Sequence, residues 1–451
     1  VNVVITGGGE LALRIAEALM LDHDVVVVVP ESEDMARMEG LDVQLMVGNA
    51  GSLRTLEQAG TQETDVFIAA APHDERNIVA CIAAHRLGAK NRICIMNTAS
   101  DLHAHALDDV TLASSAGVDA VYHPAEQLAE EIVDIVTVHG ALDMRSFFNG
   151  RVGLLKAAVG DKAPILQHRL VDTKLPAGVR LVMVHRGEEY FIPGGSTKLE
   201  VGDHVTAIGR RRALLKYGAK MLRAKGAKSK SRRRAIIAGG GGVGIAVARS
   251  LRERGWDVKI IEQDRARCEL LANELDCLVL HGDGADLELL QEEHAESASA
   301  LIAVTNNDEK NLLISLLAKQ LGVERIITRA DKPANERLFD KVGIDVVLSA
   351  TQATVRSIVR EVVDVDQTHI ADLEHGELAV LDFELPPNFP ETALALCKPH
   401  TVATVGAILR GSTTIIPKDD EVILPGDHVL VVSKTEDEEA TMKYFKSKKK
   451  E

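Results

Sequence analysis

Aromatic side chains are nearly missing from this chain: one Trp, four Tyr and eight Phe make up 3% of 451 residues. The cores must therefore be built from Val, Ile, Leu and Ala, which suits parallel strands buried on both faces. Cysteine is scarce as well. Cys81, Cys94, Cys268, Cys277 and Cys397 are odd in number and scattered, which argues against a disulfide framework. None forms a C-x-x-C or pairs with a nearby His at metal-ligand spacing, so they read as small buried hydrophobes in a reducing compartment. No apolar run reaches the ~18–20 residues that a spanning helix needs. The first residues already read as a strand, so no signal peptide is expected and the expected location is cytoplasmic. Net positive charge is missing too: at −15 the chain as a whole is a poor ligand for nucleic acid.

What is present is a duplication. A glycine-rich loop, Gly7-Gly8-Gly9-Glu10-Leu11-Ala12, follows the strand-like run Val1–Ile5, and Gly239-Gly240-Gly241-Gly242-Val243-Gly244 follows Ala235–Ala238. Further along, Arg186-Gly187, Ile192-Pro193 and Gly202-Asp203-His204-Val205 return at the same spacing as Arg410-Gly411, Ile416-Pro417 and Gly426-Asp427-His428-Val429. A two-part unit present in unequal copies suits a regulatory device better than an enzyme, which needs one working site.

Within residues 1–120 strand-like runs (25–29, 66–71, 92–96) alternate with helical patterns (10–21, 77–87). The same order runs through 234–348, with strands near 258–261, 277–280, 300–304, 325–327 and 346–348. Such alternation implies βαβ units and a parallel sheet. The expected class is α/β: two Rossmann-like, doubly wound parallel-sheet domains, each followed by a small α+β domain. The expected boundaries are 1–122 and 234–349 for the Rossmann-like domains, and 123–143 and 350–368 for a crossover or packing helix after each. The small domains are placed at 144–214 and 369–446, with a basic linker at 215–233. In them, Val179–Val184, the Arg186-Gly187 turn and a return strand from Tyr190 read as a hairpin.

The chemistry lies in the loops. In Gly-x-Gly-x-x-Gly the first glycine makes the strand-to-helix turn, the second admits a pyrophosphate and the third lets helix and strand pack closely. Gly239, Gly241 and Gly244 fill these places, and phosphate would sit on the free N–H groups at the following helix start. About 20 residues on, Glu262 ends the next strand, where an acid accepts ribose hydroxyls. Asp283, Thr305, Asn306 and Arg329 each follow or end a later strand, at the sheet edge where ligands bind in such folds. Arg329 is read either as a phosphate partner or as a surface ion pair.

The first copy departs at each of these points. Gly7, Gly8, Gly9, Glu10 and Leu11 form its candidate loop, but Glu10 places a carboxylate beside the expected phosphates. At the corresponding places Pro30 stands where Glu262 does (unless Glu31 substitutes), Asn49 replaces Asp283 and Met96 replaces Arg329. The first site is therefore expected to be chiefly a scaffold. His123, His281 and His294 belong to no catalytic motif. Arg186 and Arg410 read as strand-end surface arginines or as ligand contacts. The segment 210–234 is Lys/Arg-rich without an acid, and Lys446–Lys450 closes the chain. These runs read as solvated linker and tail, or as contacts to anionic lipid or an acidic partner.

The paired glycine loops, Glu262, Gly282-Asp283 and the two Arg-Gly…Ile-Pro…Gly-Asp segments resemble the tandem RCK (regulator of conductance of potassium) family of TrkA-type potassium-uptake subunits. The resemblance covers nearly the whole chain except 210–234. It implies a non-enzymatic, peripheral subunit at the inner face of the cell membrane that assembles as a homo-oligomeric ring beneath a Trk-type potassium transporter. It further implies gating by NAD(H) or ATP/ADP at Gly239–Gly244, Glu262, Thr305 and Arg329. The competing readings are an NAD-dependent oxidoreductase and a cytosolic nucleotide sensor with another partner.

Overall fold

The computed structural model describes residues 1–30, 38–97, 115–138, 141–148, 151–218, 233–362, 369–373, 377–397, 403–411 and 413–447. They form two compact units, one built from residues 1–133 and 232–362, the other from 134–231 and 363–451. Each unit thus collects one kind of module from both copies.

The first unit holds two six-stranded parallel sheets. In the first copy β1 (Asn2–Thr6), β2 (Asp24–Val29), β3 (Gln44–Val47), β4 (Val66–Ala69), β5 (Asn91–Ile95) and β6 (Ala120–Tyr122) lie in the order β3-β2-β1-β4-β5-β6. This is the doubly wound nucleotide-binding order, whose direction reverses between β1 and β4. Its helices are α1 (Glu10–Leu19), α2 (Leu53–Gln58), α3 (Asp74–Leu87) and α4 (Pro124–Thr137). Helix α1 turns Ala12, Ile15, Ala16 and Leu19 onto one face, and all four are buried against the Val-rich sheet. Strand β3, a short edge strand with no fully buried residue, was not read from the sequence.

Between the two Rossmann copies in the chain comes the first small module, with β7 (Ala141–Phe147), β8 (Val152–Ala158), β9 (Val179–Arg186), β10 (Glu189–Phe191), β11 (His204–Gly209) and α5 (Arg211–Tyr217). The second Rossmann copy then repeats the first. It runs β12 (Arg234–Ala238), α6 (Gly242–Glu253), β13 (Asp257–Glu262), α7 (Arg265–Glu274), β14 (Leu278–His281), α8 (Leu287–Glu292), β15 (Ala300–Ala303), α9 (Asp308–Leu321), β16 (Ile326–Arg329), α10 (Pro333–Lys341) and β17 (Val346–Leu348), ending in α11 (Ala350–Val362). Its sheet order is β14-β13-β12-β15-β16-β17.

The helix that closes the second copy crosses over to the first. Ile358 and Val362 of α11 are buried in the same core as Val3, Ile5, Ile15 and Leu19 of the first copy. Helices α4 and α11 are joined by Gln127–Ser357 (2.6 Å) and by Glu131–Arg356 (2.6 Å), a pair about one-quarter exposed on each side. The two Rossmann copies are therefore held as one body.

In the second unit the small modules are five-stranded antiparallel sheets, β10-β9-β11-β8-β7 and, with β18 (His369–Leu373), β19 (Leu378–Glu384), a short strand β20 (Thr392–Ala393), β21 (Ala403–Arg410), β22 (Thr413–Ile415), β23 (Val422–Ile423) and β24 (His428–Lys434), the order β18-β19-β24-β21-β22. The first strand of each sheet, β7 and β18, pairs with β8 and β19. One face of each sheet packs on the other through Leu154, Val182 and Ile208 and through Val380, Leu430 and Val432.

The repeated arginines are paired with buried carboxylates. Arg186 donates Nε and Nη2 to Asp203 (2.7 Å each), and Arg410 does the same to Asp427 (2.8 Å each). Asp203 is 1% exposed and also accepts the Glu200 amide at 2.8 Å. Arg-Gly and Gly-Asp are thus the two halves of one clamp that ties a hairpin to the following turn. Burial pushes the Asp203 carboxyl up, but the Arg186 hydrogen bonds and the Glu200 amide outweigh it and hold it below the usual range. With a lowered folded value, its contribution is complete above the ordinary carboxylate range and is lost as pH falls through the folded value, below about 4. Asp203→Ala is expected to cost about 2–4 kcal/mol at pH 7, read from the urea midpoint, and to flatten that acid dependence.

The basic segment is only partly described: 219–232 and 448–451 lie outside the described residues. Arg233 stacks over Trp256 at 5.4 Å, and Arg234 opens β12 with its Nη1 on Ser297 Oγ at 2.7 Å. Those two arginines are anchored in the Rossmann fold. No helix among the described residues is long and apolar enough to cross a membrane. The five cysteines are free, and Cys81, hydrogen-bonded to Cys94 and buried, has its thiol pushed well up, so it resists ionisation.

Candidate functional site

The sheet order reverses between β12 and β15, and a cavity of about 630 Å³ opens there at the carboxyl ends of the strands. That volume is in the range of small-molecule sites. Gly239 follows β12 with φ +115°, and a Cβ there would meet the Val304 carbonyl and the Thr305 amide at 3.0 Å. Only glycine makes this turn without strain. A Cβ on Gly244 would lie 2.0 Å from the Gly239 carbonyl oxygen, so the third glycine sets how closely α6 approaches the strand end. Around Gly241 the same test finds nothing within 4 Å: this is open wall, facing the first-turn amides of a twelve-residue helix. The three sequence roles are each met by a different local geometry, and the open wall fits a phosphate.

Glu262 ends β13 beside this loop. Its Oε2 accepts the Gly240 amide at 2.7 Å, and its Oε1 accepts the Asp264 amide at 2.8 Å. Each oxygen keeps a lone pair for a further donor such as a ribose hydroxyl. Gly240 is turned toward Glu262 and Leu271, so it shapes the acid's position and does not line the cavity. Gly239, Gly241, Gly242, Val243, Glu262, Thr305, Asn306 and Arg329 do line it. Asp283 stands one step back, held by Lys310 Nζ at 2.9 Å. Burial opposes its ionisation, yet the Ala285 amide and Lys310 keep its carboxyl below the usual range. Arg329 is bonded to Asp331 (2.6 Å) and Asn306 (3.1 Å), so a phosphate would have to share it with Asp331.

Several site residues were not legible from the motif. Lys310, one turn into α9, reaches the cavity and joins Asp283 to Gln263 (2.8 Å). Arg267 lines the cavity and donates Nε to the Gly240 carbonyl at 2.6 Å. Asn311 is fully buried and binds the Thr305 amide (2.9 Å), Thr305 Oγ1 (2.7 Å), the Thr305 carbonyl (3.0 Å) and the Arg329 carbonyl (3.0 Å). It pins the loops after β15 and β16 to each other. Asn77 does the same for Ala71 and Ile95 in the first copy. The recurrence of Asp-x-x-Asn at the starts of α3 and α9 was the signal available.

Strand register corrects two equivalences between the copies. Thr6 pairs with Val28, and Ala238 with Ile261, so Val29, not Pro30, occupies the place of Glu262. The first copy has one residue fewer between its glycine loop and the end of its second strand, so counting overshoots. Likewise Asn77 bonds the Ile95 carbonyl as Asn311 bonds that of Arg329, so Ile95, not Met96, is the counterpart of Arg329. Val29 is 1% exposed in the core, and neither residue offers a polar group. Glu31 lies outside the described residues. Gly7 keeps the tight turn, with φ +126° and a Cβ site 2.7 Å from the Ala70 carbonyl oxygen. Glu10 and Leu11 line a second cavity together with Arg329 of the other copy.

A pair of Rossmann copies joined through their closing helices, with twin small modules, defines a tandem RCK architecture. The TrkA-N domain family matches residues 3–124 and 235–350, and the TrkA-C domain family matches 154–221. The chain belongs to the TrkA family. It is 32% identical to "Trk system potassium uptake protein TrkA homolog 1" of Methanosarcina mazei, over 99% of this chain and 100% of that one. It is 30% identical to the "Trk system potassium uptake protein TrkA homolog" of Archaeoglobus fulgidus, again over 99% and 100%. Among solved structures, the GsuK RCK domain superposes with a TM-score of 0.61 at 19% identity, covering 98% of this chain and 94% of that one. The GsuK channel bound to NAD superposes at 0.62 and 18%, covering 98% and 78%. These two confirm the fold.

Proposed function

We propose that the chain is the nucleotide-sensing regulatory subunit of a Trk-type potassium transporter. It is peripheral at the inner membrane face, works as a homo-oligomer, and carries out no catalytic step. The proposed ligand is NAD(H) or an adenine mononucleotide, ADP or ATP. Its site is Gly239–Gly244, Glu262, Asp283, Thr305, Asn306 and Arg329, and the first loop (Gly7–Leu11) is retained for structure. The proposed module boundaries remain 1–122, 123–143, 144–214, 215–233, 234–349, 350–368 and 369–446.

The observation that carries this reading is the contrast at one register position: Glu262 beside an open glycine loop in one copy, buried Val29 in the other. The route to regulation is also visible. The cavity is lined by Pro124 and Ala125 at the start of α4 and by Ala350 at the start of α11, the two closing helices. A ligand touching both has a means of preferring one arrangement of the copies, and only such differential affinity shifts an equilibrium. A coupling of about 1–3 kcal/mol gives roughly a 5- to 150-fold effect.

The test is rubidium flux through the membrane subunit reconstituted in vesicles with this chain. Added NADH or ADP is expected to change the flux, and Glu262→Ala to remove the response while leaving the complex intact. Flux indifferent to both nucleotides would sink the proposal.

A further inference from the structure

The base of a nucleotide in this site has a position that the sheet dictates. The glycine loop follows β12, and Glu262 ends β13, the next strand outward. A ribose held by Glu262 with its phosphates at the loop carries its base the other way, toward β14. Base and 5′-phosphate leave the sugar from opposite ends. The cavity wall on that side is made by Gln263, Gly282, Gly284 and Lys310. A Cβ on Gly282 would lie 2.5 Å from Leu289, and one on Gly284 would lie 2.9 Å from Ala238. Both places are thus bare backbone, and the side chains this stretch offers a base are Gln263 and Lys310.

Gln263 is held at both ends. His281 Nε2 donates to its main-chain carbonyl at 3.1 Å, and Lys310 Nζ donates to its Oε1 at 2.8 Å. A lysine only donates, so this bond decides which way round the amide stands. Oε1 keeps a second lone pair, and Nε2 carries two donors. The amide therefore presents an acceptor beside a donor. Adenine matches that order, because its 6-amino group donates and its N7 accepts, whereas guanine and hypoxanthine place acceptors at both positions. Lys310 and Arg267 are donors only, and alone they would suit a 6-oxopurine. Both are committed elsewhere. Lys310 is shared between Gln263 and Asp283 (2.9 Å), and Arg267 Nε is spent on the Gly240 carbonyl (2.6 Å).

We propose that Gln263 reads the base as adenine and that Lys310 is the positioning residue that fixes its amide. The proposal rests on the nucleotide-site reading above and adds the group that rejects a 6-oxopurine.

The test titrates the full chain by calorimetry with ADP against IDP, and with NADH against its hypoxanthine analogue. Each pair differs only in the 6-amino group and the N1 proton that its replacement by oxygen brings. The native chain is expected to bind the adenine member about 5- to 20-fold more tightly, the lower part of the range for a bidentate base contact. Gln263→Ala is expected to bring each ratio to within about 2-fold of unity. Lys310→Met, which keeps the reach and loses the donor, should lower the ratio about 2- to 5-fold. A merely structural role for either residue would weaken both members of a pair alike and leave the ratio unmoved. Circular dichroism checks that each variant folds. Equal native affinity for ADP and IDP, or a native ratio in Gln263→Ala, would overturn the base reading and leave the nucleotide site standing. An unmoved ratio in Lys310→Met would overturn the part given to Lys310. Failure of the native chain to bind any of the four would overturn both readings.

Discussion

Gly244→Val is expected to be the most damaging single substitution in the chain. Its Cβ would lie 2.0 Å from the Gly239 carbonyl oxygen, a backbone atom that cannot rotate away as a side chain can. Overpacking costs about 1–3 kcal/mol and more where backbone must move, against a total of about 5–15 kcal/mol for a domain. The helix start would be pushed off the strand, so nucleotide binding should fall below detection and the thermal transition of the second Rossmann copy should drop by several degrees. Gly241→Val is the control. Its Cβ meets nothing within 4 Å, so it should leave the melting curve in place while blocking the phosphate. The first copy already carries Ala12 at the position of Gly244, buried at 0% exposure, so its loop accommodates one methyl. Gly244→Ala should therefore be milder than valine. If Gly244→Val bound nucleotide like the native chain, the close-approach account of this loop would be wrong.

The second large effect is expected at Glu262. Its carboxylate is already aimed by the Gly240 and Asp264 amides, so a ribose meets an acceptor that needs no rearrangement. Hydrogen bonds to a charged acceptor are worth about 1.5–3 kcal/mol, so Glu262→Ala should weaken NADH or ADP about 10- to 100-fold. Glu262→Gln, which keeps the shape and loses the charge, should fall between. Both should melt near the native temperature, because the two amides they release can bond to water. The size of the loss then reports on ligand contact and not on folding.

How far the chain can be read from its residues depends on where the signal is local. The two sheets, their helices and the glycine roles were legible, since alternation of Val/Ile runs with amphipathic stretches leaves one fold class. Glu262 was legible because its distance from the loop is set by one helix and one strand. Pairing across the sheet was not: Pro30 and Met96 were matched by position along the sequence, and hydrogen-bond register moved each match by one, to Val29 and Ile95. The clamp Arg186–Asp203 was visible as a repeat but not as a pair, because nothing in the spacing tells an arginine that its partner is seventeen residues on. Asn311 was hidden for a related reason: a buried amide tying two loops leaves no hydrophobic period. Least legible was the cavity that Glu10 and Arg329 both line, which depends on packing between copies more than two hundred residues apart.

The account's central claim is a division of labour between the copies, and counting sites tests it most directly. Calorimetric titration of the full chain with NADH or ADP should give one bound nucleotide per chain, and an affinity lowered about 10- to 100-fold in Glu262→Ala. Two nucleotides per chain, or one that survives Glu262→Ala undiminished, would contradict it.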